Sequence, residues 1–330
     1  MIKRIMLVIM LAVFSTIITT AQEGSPSGDG LSGEERALLD RLSQAAERFE
    51  SYTSYNNVYE VVDNEVTLIS MDSGTFDLQE TRILEADETV LLGDNPNGSA
   101  IVSAIVERNE AQVFSTYTID GELRYVDGVL YLNVAYAELQ IDLPALPEGW
   151  VTVEDIDAFI AENPTLDILD LHGFVDQFAS VETETDIEDP QRSRLQLVSD
   201  LGEFASAVTL DRSEINGEAV DVITVFFGWQ GLSQILMEED SEFDLNDPLA
   251  LLFAEQLSEL DDLLSLLIAV NDNGDIVGIA TGFRVELIDV EMSLIADNVE
   301  PGTLYNLVLD NFEVNTITQI NADFEPATAP

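Results

Sequence analysis

The sequence predicts an α+β fold: a single curved antiparallel β-sheet, a half-barrel, with helices covering its concave face. Three observations predict it. Runs with a side-chain period of two fill the chain from about residue 56 to 134 and return in the second half. Asp-Gly and Asn-Gly pairs punctuate those runs, and such pairs supply the positive φ that short hairpins need. Stretches of helical period interrupt the strands in two places, which is not the regular βαβ alternation of a parallel sheet.

The N-terminus reads as a leader. Lys3 and Arg4 precede an apolar run from Ile5 to Ile18, and Thr19-Thr20-Ala21 offers small residues at the −3 and −1 positions of a cleavage site. Residues 1–21 therefore read as a secretory signal peptide, with an uncleaved anchor as the alternative. No later segment is apolar for the ~18 residues a membrane span needs, so no transmembrane segment is expected after cleavage. Residues 22–31, "QEGSPSGDGL", form a Gly/Ser/Pro linker.

Next comes "SGEERALLDRLSQAAERFESY". Ser32 and Glu35 have capping-box spacing, and Leu38, Leu42, Ala45 and Phe49 recur on one face, so this is an amphipathic helix. "EVTLISM", "TFDLQETRIL", "AIVSAIVER", "QVFSTYTIDGELRYV" and "VLYLNV" follow as strands, with turns at Asp72-Ser73-Gly74, "GDNPNGS", Asp120-Gly121 and Asp127-Gly128. Thr152 and Asp155 cap a helix, Pro164 starts another, and "QRSRLQLVSDL" reads as a third. A hairpin turning at Asn216-Gly217 comes next. Then Asp247 caps a helix whose apolar face runs from Leu249 to Leu264. The last strands are "LLIAVNDNGDIVGIATGFRVELI", "VEMSLIADN" and "TLYNLVLDNFEVNTI". The domain spans 32–320, and 321–330 is a Pro-rich tail.

Composition limits function. Removing Lys3 and Arg4 leaves ten basic residues, all arginine, against 64 acidic ones, a net charge of −54. That charge disfavours nucleic acid and anionic lipid surfaces, so no nucleic-acid partner is expected. The acidity itself reads as a property of a saline habitat more than of a partner. The 46% hydrophobic content supplies a core and separates the chain from disordered acidic segments. With no cysteine, disulfides, thiolate metal sites, cysteine nucleophiles and a lipid-anchor cysteine are all excluded.

The motifs that could carry chemistry are incomplete. His172 is the one histidine, and it lies in a helical stretch with no G-x-S-x-G elbow to serve, so it reads as a core or capping histidine. Asn271 to Asp275, "NDNGD", opens like a calcium loop, but Gly282 stands where the twelfth-position Glu is required, so a hairpin turn explains it better. The acidic loop Glu238 to Asp247 could hold calcium weakly, or simply end in a helix cap. Asn97-Gly98-Ser99 is a formal glycosylation sequon that reads as a loop turn. No catalytic residue can be picked out of 64 acids, and an enzyme, a metal site or a cofactor is not expected. The remaining signal is aromatic. Tyr131, Trp150, Phe174, Phe178, Phe226, Phe227 and Trp229 gather at strand ends and on the covering helices. Most are core. The candidates for lining an apolar cavity are Tyr131, Trp150, Phe174, Phe178, Phe226 and Trp229.

"GELRYVDGVLYLNV" followed by "EGWVTV" resembles a segment of the LppX/LprAFG-type lipoproteins, in which a hairpin precedes a Trp and the covering helices. "TLDRSEINGEAVDVITVFF" resembles their second hairpin, and "LYNLVLDNFEVNTITQINADFEPATAP" their last strand and Pro-terminated tail. The resemblance runs from about residue 33 to 330. It implies a LolA/LolB-like half-barrel around an apolar space, in a family that carries acyl chains and has no catalytic residues to transfer. This chain lacks the cysteine of the lipidated anchor, so it resembles a non-lipidated member. The function expected is an exported soluble carrier, periplasmic, in the cell envelope or extracellular, for a lipid or other hydrophobic small molecule. The alternative is a non-catalytic envelope or secreted scaffold with a filled core.

Overall fold

In the computed structural model of the chain, the described residues are 31–71, 74–92, 97–110, 112–139, 148–152, 202–229, 231–233, 263–291 and 302–330, with residues 155, 158, 159, 162, 195, 256 and 257. The expected signal peptide, the linker apart from Leu31, His172, Phe174, Phe178 and the acidic loop 238–247 lie outside them.

The first element is helix α1, Gly33–Glu50. Six strands follow: β1 Ser54–Met71, β2 Gly74–Leu91, β3 Asn97–Glu110, β4 Val113–Val126, β5 Val129–Leu139 and β6 Trp150–Thr152. After the 3-10 turn Gly202–Phe204 come β7 Ala207–Ile215, β8 Glu218–Phe227, β9 Leu264–Asn271, β10 Ile276–Glu291 and β11 Leu304–Thr318. All eleven strands form one sheet in the order β6-β5-β4-β3-β2-β1-β11-β10-β9-β8-β7, each pair antiparallel. Two consecutive meanders thus meet where the first strand pairs with the last.

This corrects the expected fold class. The described residues are mostly strand, in an open sheet whose edges are β6 and β7, and a helix-covered half-barrel is not what they form. Among them, the long helix α1 packs on β7 and β10, at one end of the sheet. The strands are also longer than their apolar runs. β1 and β2 each have 18 residues, and both carry polar positions, Asp63 and Glu80 to Arg82, in their interiors.

Local chemistry explains α1. Glu35 N–H donates to Ser32 Oγ at 3.3 Å and Ser32 N–H donates to Glu35 Oε2 at 2.7 Å, closing the capping box. The other carboxylate oxygen, Oε1, accepts from the N–H of Val208 at the start of edge strand β7, at 3.3 Å. These bonds hold the Glu35 pKa below the usual carboxylate range, the Ser32 backbone bond most of all. Leu42, Ala45, Ala46 and Phe49 face the sheet. Arg41 pairs with Asp221 at 2.8 Å and Arg48 with Asp275 at 2.6 Å. Both arginines are well exposed, so the pairs orient the helix more than they stabilise it.

Tyr52 follows α1 and sits in the same core beside Asp275. Burial, then the Asp275 charge, pushes its pKa from 10.0 up to about 12. A raised pKa gives stability that is complete below the unfolded value and lost as pH rises through the folded one. Thermal melts between pH 9 and 12 should therefore show a fall that begins near pH 10, and Tyr52→Phe should blunt it.

The hairpin turns behave as their residues require. Asp127 and Gly128 have φ of 52° and 82°, and Asn216 and Gly217 have 53° and 84°. Gly128→Val puts a β-branched residue in the left-handed region, and chemical denaturation should read a loss of about 1–3 kcal/mol. "NDNGD" is a turn as expected: Asn271 Oδ1 accepts from the N–H groups of Asn273 and Asp275 at 3.0 and 2.9 Å. Asp120-Gly121 is not a turn. It lies inside β4 at a register shift against β5, where a Cβ on Gly121 would stand 2.9 Å from the Asn133 carbonyl oxygen. The glycine serves close strand approach instead.

Candidate apolar ligand site

Two apolar clusters share one face of the sheet, the inner face. The first joins α1 to β7–β11 and contains Phe49, Phe227, Ile223 and Ile268. The second lies on β1–β5 and includes Leu84, Val102, Ile119 and Leu132, all between 0 and 2% exposed. At its centre the side chains are small. Ala86, Ala100 and Ala104 surround Val102, whose partner on β4 is Gly121. Among the described residues, Val151 and Phe159 pack against this floor from outside β1–β5, and α1 contributes nothing to it.

Polar side chains on the same face separate this floor from the first cluster. At one end, Asn57 Nδ2 donates to Glu88 Oε2 at 3.2 Å and to Asn315 Oδ1 at 2.9 Å. Asn315 Nδ2 in turn donates to Glu313 Oε1 at 3.0 Å. At the other end is an ion cluster. Glu80 is 8% exposed and lies between Arg82 at 3.3 Å and Arg108 at 3.7 Å, and Arg108 reaches Glu110 at 2.7 Å. Buried charge is stable only when paired in this way. The arrangement is an apolar floor with a polar rim, and two of the chain's few arginines stand in that rim.

The sequence-predicted residues fall elsewhere. Leu130 and Leu132 carry the inner face of β5, so the half-buried Tyr131 between them stands on the outer face, opposite Arg124 of β4 and Thr152 of β6. Trp150 joins it there, with the Arg124 guanidinium 4.3 Å from its ring centroid, a cation–π contact. Phe226 is half-buried on β8, next to the fully buried Phe227, and Trp229 packs against the first cluster. Tyr131 and Trp150 therefore come together, Phe226 and Trp229 lie at the far half of the sheet, and Phe174 and Phe178 lie outside the described residues. The floor residues were missed because "AIVSAIVER" is apolar at both parities. The larger Ile101 points outward, 69% exposed, while its alanine neighbours point in. Hydrophobicity alone predicts the reverse; the small volume needed at the floor decides it.

Thr152 and Asp155 form the expected cap, with Thr152 Oγ1 donating to Asp155 Oδ2 at 2.8 Å and Asp155 N–H donating to Thr152 Oγ1 at 3.2 Å. No group of three or more His, Asp or Glu side chains suited to a metal ion occurs among the described residues. No described helix is long and apolar enough to cross a membrane.

No protein-family model matches the chain, and none of the curated proteins does. Among solved structures it is similar to an outer membrane lipoprotein-sorting protein domain from Vibrio parahaemolyticus, at 8% identity over 87% of this chain and 93% of that one, with a TM-score of 0.18. It is also similar to a DUF1329 family protein from Desulfovibrio piger, at 8% identity over 90% and 96%, with a TM-score of 0.15.

Proposed function

We propose that this chain is an exported, non-catalytic binding protein for an amphiphilic ligand with a long apolar part, such as a lipid. The observation that carries the reading is the small-residue floor of β1–β5 bounded by Asn57, Glu88, Glu80, Arg82 and Arg108. An apolar surface with a few placed polar groups at its margin is the general form of such a site. The floor would take the apolar part, and the rim would meet the polar head. One observation favours the second reading, a scaffold with a filled core: every residue of the floor is already buried to 8% exposure or less.

Ala104→Trp separates the two. In a carrier the indole occupies ligand space. Native mass spectrometry of the protein from its own host should then show an apolar adduct on the parent and none on the variant, with the melting temperature little changed. In a filled core the parent carries no adduct, and the same indole overpacks the sheet at a cost of about 1–3 kcal/mol. The second pattern would overturn the carrier.

A further inference from the structure

The tail after β11 does not run free. At Asn321, Oδ1 accepts from the Thr53 N–H at 2.7 Å and from Thr53 Oγ1 at 3.1 Å, while its own N–H donates to the Ser54 carbonyl at 2.8 Å. Ser54 Oγ donates to the Ala322 carbonyl at 2.6 Å. Further along, Asn97 holds Ala327 by both main-chain groups: Nδ2 donates to its carbonyl at 2.9 Å and Oδ1 accepts its N–H at 2.7 Å. Arg124 then donates to the Thr328 carbonyl at 3.3 Å. Ser54 opens β1, Asn97 opens β3, and Arg124 lies two residues from the end of β4, so these stations stand at one end of the antiparallel sheet. The tail crosses them as a strap and ends beside the Arg124–Trp150 pair and Tyr131.

Two features make the strap exchangeable. Beyond the Asn321 side chain, which Thr53 holds, every bond described goes to the main chain of the strap, so from Ala322 onward the stations read an extended backbone and not a side-chain sequence. Pro326 and Pro330 favour that extended form. The turn that folds the strap back is also strained at Gln319, whose φ of 52° lies in a region that glutamine rarely adopts, two residues before Asn321 at 56°. Straightening this turn relieves the strain and carries the same segment away from its own sheet. Exchange of an identical segment then costs no contact.

We infer that Ser54, Asn97 and Arg124 form a peptide-binding station that holds residues 322–328 of this chain as a closed strap and takes the same segment from a second copy when the strap opens. The test uses the full chain with Asn321→Pro, which forbids the positive φ and removes the N–H bonded to Ser54. In high salt, which screens the like charge of two copies, this variant should form a dimer whose share rises with concentration in light scattering. A synthetic peptide of residues 322–330 should bind the variant and return it to monomer, and should bind the parent far more weakly. Adding Asn97→Ala removes two hydrogen bonds and should weaken the peptide about tenfold. A monomeric variant with the parent's circular dichroism and no affinity for the peptide overturns the station. Peptide binding without a dimer overturns the second copy as its occupant. Hydrogen exchange on the parent decides the matter if Asn321→Pro fails to fold: Ala327 N–H protection should drop about tenfold in Asn97→Ala, and unchanged protection refutes the strap.

Discussion

Phe49→Ala should cost about 3–5 kcal/mol, read as a shift of the urea midpoint with the slope unchanged. Phe49 has no exposed surface, and its ring lies 4.8 Å from Tyr52 and 5.5 Å from Tyr55, tilted by 50° to each. Those distances and tilts suit aromatic pairs, which add to the burial. The residue also joins elements: it comes from α1, while Tyr55 belongs to β1, in the middle of the sheet. Truncation leaves a cavity that neither the capped helix nor the paired strand can easily close. Domains are typically stable by about 5–15 kcal/mol, so one ring accounts for a large share. Phe49→Leu should recover most of the loss. If Phe49→Ala shifts the midpoint by less than a surface substitution does, α1 is not part of the cooperative core.

Arg108→Met should be nearly as damaging, at about 3 kcal/mol, for a different reason. It leaves Glu80, almost fully buried, with Arg82 as its remaining cation in the cluster, while Glu65 stands directly opposite on β1. A buried carboxylate that loses one of its two cations costs more than the lost attraction. Glu80→Leu added to Arg108→Met should therefore restore stability toward the parent, since an apolar pair of similar size replaces an ionic one. A double-mutant cycle measures this directly. Equal, additive losses from the two substitutions would show that Glu80 reaches solvent after the arginine is gone.

Some of this was legible in the sequence. The helix over 33–50 was, because Ser32, Glu35 and the apolar stripe through Phe49 agree at every level. The turns at Asp127-Gly128 and Asn216-Gly217 were, because each pair stands between alternating runs of matching length. Asp120-Gly121 has the same chemistry and was misread. Its neighbours continue in one strand, and the glycine answers a carbonyl across the sheet that no local pattern shows. Glu80 to Arg82 were placed inside a strand, but their pairing was hidden for a similar reason. Their partners lie on neighbouring strands, and only register brings Glu80 level with Arg108. The candidate site was least legible. Aromatics were weighted as cavity lining, whereas the floor between the polar groups is built from alanine, valine and leucine. The tail reads as coil in isolation, and the residues that hold it lie more than 200 positions away.

The pairing of β1 with β11 sets the order in which the molecule can be completed. Asn56 and Thr318 face each other across that pair although 262 residues separate them. Each meander can form from local contacts, but the join between them requires the most distant closure in the chain, and such closures fold slowly. During synthesis β1 emerges first and its partner last. Until then β1 presents an 18-residue strand bonded on one side only, a template for pairing with other chains. A chain with 64 acidic residues against 12 basic ones has a direct defence over that interval, because two half-made copies repel each other before their bare strands can meet.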